Sequence, residues 1–153
     1  MLSKKTSILV VDDDIRILRM MQRILEMEGY RVLTAQDGEA AIETFYGDNV
    51  PDLILLDIMM PGIDGFTVCR QIREFSNVPI IVVTAKGSEN EKIEGFDAGA
   101  DDYVAKPFSA KELVARVRAV LRRVQIWDEH PEPSFNLFDL VIDFAKRKAT
   151  LGD

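Results

Sequence analysis

Asp12, Asp13, Asp57, Thr84 and Lys106 are the residues whose types and spacing could do chemistry together. Each sits at or just past the end of a short apolar run. Asp12 and Asp13 follow Ile8-Leu9-Val10-Val11, and Asp57 follows Leu53-Ile54-Leu55-Leu56. Thr84 closes Pro79 to Val83, and Lys106 follows Asp102 to Ala105. Three carboxylates held together repel one another, and their pKa values rise unless a cation is present. Magnesium suits such a cluster, because it takes hard oxygen ligands and commonly bridges carboxylates to a phosphate. Asp57 could then act as a nucleophile that accepts a phosphoryl group as an acyl phosphate. Magnesium and the Lys106 ammonium would offset charge on the transferring oxygens, and the Thr84 hydroxyl would hydrogen-bond one of them. Taken singly, each residue has a plainer use. An aspartate at a strand end is ordinarily a solvated turn residue or a helix cap, as Asp13 or Asp14 could be. Thr84 alone would be a strand residue, and Lys106 alone a surface charge. The conjunction at successive strand ends is what suggests a site.

For these residues to meet, the elements between them must return the chain repeatedly to one edge. The pattern does this. Asp14 to Glu28 reads as a helix with Ile15, Leu18, Met21 and Leu25 on one face and Gly29 at its C-terminal cap. Arg31 to Ala35 is a second strand, and Asp37 can cap a helix to about Tyr46. Leu53 to Leu56 is uniformly apolar and so reads as a central strand. A Pro61-Gly62 turn leads to a helix from about Asp64 to Phe75. Ser88-Glu89-Asn90-Glu91 and Ser109-Ala110-Lys111-Glu112 have capping-box form and open two more helices. In the second, Leu113, Val117, Val120, Leu121 and Val124 keep helical spacing. Five strand-helix units in alternation predict an α/β fold: a doubly wound parallel sheet with helices on both faces. Right-handed crossovers place all strand C-termini at one edge, where such folds hold their sites.

Composition sets limits. The chain has 153 residues, enough for one domain and a short extra piece. A formal net charge of -7 argues against binding nucleic acid unaided, since it repels the phosphate backbone. The single cysteine, Cys69, excludes an internal disulfide and fits a reducing cytoplasm. No apolar run approaches the ~18 residues that span a bilayer. Past Val124 the pattern changes. Residues 125–135 hold two prolines and no apolar periodicity, and read as a linker. Residues 136–153 look like a short hairpin around Lys146-Arg147-Lys148, which is marginal by itself and reads as the truncated start of a second domain.

The sequence resembles the response-regulator receiver domains of two-component systems. The matching residues are Ile8 to Asp14, Asp57-Ile58-Met59-Met60-Pro61-Gly62, Thr84-Ala85-Lys86, Gly99-Ala100-Asp101-Asp102-Tyr103 and Lys106-Pro107-Phe108. The resemblance implies a five-stranded, flavodoxin-like sheet of order 2-1-3-4-5 over residues 1–124. It implies that Asp57 is the phosphoacceptor for a sensor histidine kinase. Asp12, Asp13, Asp57 and the Met59 carbonyl would hold magnesium, with manganese as a substitute, and Asp13 would be a direct ligand. Thr84 and Tyr103 would be a switch pair, the tyrosine turning inward on phosphorylation. A cis Lys106-Pro107 bond is also implied. Met59 and Lys86 fall at the two positions that tune lifetime in this family. A methionine cannot orient a hydrolytic water by a strong hydrogen bond, so loss of phosphate should be slow.

A narrower resemblance is to the OmpR/PhoB subfamily, whose effector is a DNA-binding winged helix. It implies a homodimer face of Lys92, Asp101, Asp102, Glu112, Arg116 and Arg123. Across a two-fold axis Lys92 would pair with Glu112, Asp102 with Arg116, and Asp101 with Arg123. DNA would be bound only through the effector that residues 136–153 begin. Two other readings stand beside this: a stand-alone receiver acting by protein contact, and an aspartate-nucleophile phosphatase. The phosphatase would want a second acid two residues after its nucleophile, where Asp57 has Met59 and Asp12 has Asp14.

Overall fold

The structure is a computed structural model that describes residues 5–85 and 88–129. Its elements run β1 (Ser7–Val11), α1 (Ile15–Met27), β2 (Arg31–Ala35), α2 (Gly38–Phe45), β3 (Leu53–Leu56), α3 (Gly65–Arg73), β4 (Ile80–Thr84), α4 (Glu89–Ala98), β5 (Asp102–Ala105) and α5 (Ala110–Glu129). The strands form one parallel sheet in the order β2-β1-β3-β4-β5. The alternating, doubly wound order expected from the sequence is the order observed.

Burial explains the strand composition. β1, β3 and β4 are buried along their whole length, because helices cover both faces. Leu9, Val11, Ile54 and Leu56 pack toward α2, α3 and α4, with Phe45, Phe66, Val68 and Ile72. Ile8, Val10, Leu53 and Leu55 pack toward α1 and α5, with Leu18, Met21, Leu25, Leu113 and Val117. Each such side chain contributes about 1.5–3 kcal/mol relative to exposure. β2 lies at the sheet edge and is correspondingly more exposed.

The helices start where polar caps allow. Asp14, Asp37 and Asp64 accept from the N–H groups of Arg16, Ala40 and Thr67 at 2.9, 2.8 and 2.9 Å. Ser88 and Glu91 form the reciprocal capping box. Ser109 accepts from the Glu112 N–H at 3.0 Å, while the Glu112 carboxylate lies 3.8 Å from Arg116. Such caps contribute about 1 kcal/mol each.

Several expectations need correction. Ile15 is 40% exposed, so the buried face of α1 is Leu18, Met21 and Leu25. α3 ends at Arg73, with Glu74 as its cap, rather than at Phe75. β4 starts at Ile80 and includes Thr84. α5 continues to Glu129, so residues 125–129 are helix rather than linker. The remaining linker and the hairpin of residues 136–153 lie outside the described residues, as does Lys86. Among the described residues, no helix is long and apolar enough to cross a membrane.

Cys69 is 1% exposed, and burial pushes its thiol up to about 11. It is a packed apolar side chain rather than a nucleophile. Gly65 matters more to the site. A Cβ there would lie 2.5 Å from the Ile58 Cα and 2.6 Å from the Asp57 carbonyl oxygen. These are backbone atoms, which cannot step aside as a flexible side chain can. The first turn of α3 is thus pressed onto the chain immediately after β3, and the Gly65 N–H donates to the Ile58 carbonyl at 3.2 Å. Gly65→Ala is expected to destabilise the protein by about 2 kcal/mol through this overpacking, read as a lower urea midpoint at unchanged slope.

Candidate functional site

Asp12, Asp57 and Lys106 each stand one residue past the end of a strand, fixed there by backbone hydrogen bonds. The Asp12 N–H donates to the Ala35 carbonyl (3.2 Å), the Asp57 N–H to the Val11 carbonyl (3.0 Å), and the Lys106 N–H to the Thr84 carbonyl (2.9 Å). These bonds extend the ladder by one residue and turn three polar side chains out at the C-terminal edge of the sheet. The Lys106–Pro107 peptide is cis.

The side chains converge. Lys106 Nζ lies 2.7 Å from Asp12 Oδ2 and 3.2 Å from Asp57 Oδ2. Asp12 Oδ1 accepts from the Asp14 N–H at 2.9 Å, and Asp57 Oδ1 accepts from the Met59 N–H at 3.1 Å. Asp12 is 0% exposed and Asp57 5%, whereas Asp13 is exposed. One carboxylate oxygen from each of Asp12, Asp13 and Asp57 lies within 4.8 Å of the other two. Among the described residues, no hydrogen bond engages the Asp13 carboxylate.

The electrostatics follow from this geometry. Burial raises the Asp57 pKa. The Met59 N–H and the Lys106 charge pull it back, the Asp12 charge adds to the rise, and the net is above the ordinary carboxylate range. For Lys106, burial alone would lower the pKa. The hydrogen bond to Asp12 and the charges of Asp57 and Asp12 outweigh burial and hold it above its usual value. Among the described residues, three carboxylates against one ammonium leave two negative charges unmatched at this edge. That excess is what a divalent cation with a preference for oxygen would neutralise.

Thr84 ends β4 beside Ala105, fully buried, with its carbonyl bound to the Lys106 N–H. Tyr103 is 7% exposed and already occupies an inward position. Its ring faces Gly95 and lies 6.4 Å from that of Phe96. Burial raises its hydroxyl pKa, as do the charges of Glu91, Asp57 and Glu94. Asp14 is outside the cluster. It caps α1 and pairs with Arg16 at 3.2 Å, an exposed pair that lowers its pKa. The acid that a phosphatase would need two residues after Asp12 is therefore occupied elsewhere.

The charged residues of α4, β5 and α5 are less uniform than the sequence suggests. Lys92, Glu112 and Arg123 are exposed. Asp102 and Arg116 already pair within one chain, at 3.1 Å. Asp101 turns inward, to Arg73 Nη2 and the Ile80 N–H, both at 2.8 Å. Neither Arg73 nor Gly65 stood out in the sequence. Arg73 reads there as an ordinary cation at a helix end, and its partner lies 28 residues away. Gly65 follows the capping Asp64, and its close backbone approach has no sequence signal.

Similar proteins are informative at this point. The response regulator receiver domain family matches residues 8–118. The transcriptional regulatory protein ResD of Bacillus subtilis (strain 168) is 54% identical over 121 residues, covering 79% of this chain and 50% of that protein. Response regulator MprA of Mycobacterium sp. (strain KMS) is 47% identical over 147 residues, covering 95% of this chain and 63% of that protein. The chain thus spans between half and somewhat under two thirds of these relatives. Among solved structures, a two-component response regulator from Clostridium difficile superposes with a TM-score of 0.75 at 33% identity, covering 78% of this chain and 98% of that one. A CheY-like receiver domain protein from Methanospirillum hungatei JF-1 gives 0.75 at 28% identity, covering 80% and 98%. Family match, fold order and the acidic edge agree: this chain belongs to the response regulator receiver domains.

Proposed function

We propose that the chain accepts a phosphoryl group on Asp57 from a sensor histidine kinase, with magnesium, and passes that state on by forming a homodimer. The observation that carries this reading is the buried Asp57 carboxylate, set against Asp12, Asp13 and Lys106 with two negative charges in excess among the described residues. The all-oxygen donor set of Asp12, Asp13 and Asp57 fits magnesium, and the Met59 backbone, already beside Asp57, would supply its carbonyl. Manganese would fit the same donors. Asp13 suits direct ligation because it is exposed, while both Asp12 oxygens already accept from protein donors.

The chain's own residues would do the following. An Asp57 oxygen forms a bond to phosphorus as the P–N bond of the donor phosphohistidine breaks, and the bonding pair leaves with the imidazole. Lys106 stays protonated, and its ammonium follows the negative charge from the carboxylate to the transferred group. The Thr84 hydroxyl offers a hydrogen bond to a phosphoryl oxygen. When bound, the cation offsets charge on the transferring oxygens. Met59, 49% exposed, cannot direct a water at the acyl phosphate, which would decay slowly. The product is a switch state rather than a turned-over substrate.

The dimer would use α4, β5 and α5, with Lys92, Asp101, Asp102, Glu112, Arg116 and Arg123, as in OmpR/PhoB-like regulators. The Asp102–Arg116 pair, made here within one chain, would exchange for the same pair across the axis. ResD, described as a transcriptional regulatory protein, supports an output in transcription. DNA contact would then belong to an effector begun at residues 136–153, and the whole would work in the cytoplasm.

Two expected outcomes test this. With magnesium and a small phosphodonor, the wild type gains one phosphoryl mass by intact mass spectrometry and its oligomer size rises; Asp57→Asn gains neither. Equal labelling of both proteins, or of neither, would overturn the reading. The second outcome concerns pH. Asp57 has a raised folded pKa, so without metal its ionisation costs stability as pH rises through that value. A cation binds the ionised form and removes this cost. The increment in melting temperature from magnesium should therefore be small below the raised Asp57 pKa, grow as pH rises through it, and level off above it. Asp13→Asn should shrink it at every pH. An increment independent of pH and of Asp13 would count against metal binding at this cluster.

A further inference from the structure

At the N-terminal edge of the sheet, away from the carboxylate cluster, Arg73 closes α3 with a side chain only 16% exposed. Its Nε donates to the Gly99 carbonyl at 3.0 Å, Nη1 to the Ser76 carbonyl at 3.2 Å, and Nη2 to Asp101 Oδ2 at 2.8 Å. Its stem crosses Gly99 so closely that a Cβ there would fall 2.6 Å from Arg73 Cγ, and the φ of +112° at Gly99 independently favours glycine. Asp101 Oδ2 also accepts from the Ile80 N–H at 2.8 Å, and the Asp101 N–H donates to the Ile80 carbonyl at 2.7 Å. Arg73 therefore ties the end of α3, the end of α4 and the residue before β5 into one unit. Two bonds to one oxygen fix the plane of the Asp101 carboxylate. A flat guanidinium, itself held by two carbonyls, fixes it more firmly than an ammonium would.

We infer that Arg73 is a positioning residue for the homodimer: it acts through Asp101, holding that carboxylate ready for Arg123 of a second copy. The inference rests on the dimer reading above. Oδ2 takes these two donors, and a carboxylate offers about four acceptor sites in all. The Asp101 side chain is 14% exposed, so a cation arriving from outside meets a partly desolvated charge whose orientation is already set. Ordering it costs nothing further on association, whereas an exposed aspartate would lose rotamer freedom at that moment. Lys92, Asp102, Glu112 and Arg116 have no such backing from Arg73 or α3 among the described contacts.

The test is a mutant cycle read by sedimentation equilibrium of the phosphorylated chain, with thermal melts alongside. Arg73→Ala should raise the dimer dissociation constant about tenfold. In an Arg123→Ala background the same substitution should raise it no further, although the drop in melting temperature is the same in both backgrounds. Arg73→Lys keeps the charge and serves where the alanine variant does not fold. It should give a smaller loss with the same dependence on Arg123. An Arg73 effect of equal size in the Arg123→Ala background would make Arg73 a structural residue only and overturn the inference. So would an unchanged dissociation constant in the Arg73 variants of a dimerising wild type. A wild type that stays monomeric when phosphorylated would overturn both the inference and the dimer reading beneath it.

Discussion

Two carboxylates withdrawn from water and shared by one ammonium set the terms for the rest of this structure. Asp12 and Asp57 are almost wholly buried, and Lys106 reaches both. Moving an ion out of water costs several kcal/mol even after relaxation, and removing one partner leaves the other uncompensated. Such an arrangement persists only where the surrounding fold fixes it. Here three separate strands deliver the three residues, each held by a backbone bond to its neighbour strand. The apolar runs of β1, β3 and β4, packed on both faces, supply the burial energy that offsets the charged edge. Even so, the compensation is partial. Lys106 cannot neutralise Asp12, Asp13 and Asp57 together, and the negative charge left over among the described residues favours a cation there.

The loops that bear the site are held by small constraints. Asp14 caps α1 and its N–H binds Asp12, so helix start and cluster share a turn. Gly65 lets α3 press against the backbone after Asp57, and the Met59 N–H holds one Asp57 oxygen. The loop after β3 is therefore gripped from both sides. A signal read out as a change at Asp57 would be felt by rigid neighbours rather than absorbed by a slack loop.

The opposite edge of the sheet repeats the device in another form. Arg73 and Asp101 form a partly buried pair backed by the Gly99 and Ser76 carbonyls and the Ile80 N–H. It couples α3 to the α4–β5 turn much as Lys106 couples β5 to β1 and β3. Charges that a linear reading places on one exposed face thus divide into two kinds. Arg123 and Lys92 are at the surface, whereas Asp101 belongs to an internal network.

The alternation of apolar runs and capped helices determined most of the fold, because a strand buried on both faces must be apolar throughout and a helix start needs a polar cap. Those two requirements are local, and they placed all five strands within about a residue. The same logic located Asp12, Asp13, Asp57, Thr84 and Lys106 at one edge, since strand ends in a parallel sheet share an edge. Sequence reasoning failed where contacts are long-range or where a pattern ends. Ile15 fits the helical stripe but is 40% exposed, and α5 runs on to Glu129, past Val124, the last position of the predicted apolar stripe. Only tertiary structure decided that Lys106 bridges Asp12 and Asp57, that Asp13 alone of the three acids faces solvent, and that Arg73 holds Asp101. Each depends on which side chains meet across 28 to 94 residues of chain, and residue type alone carries no record of that distance.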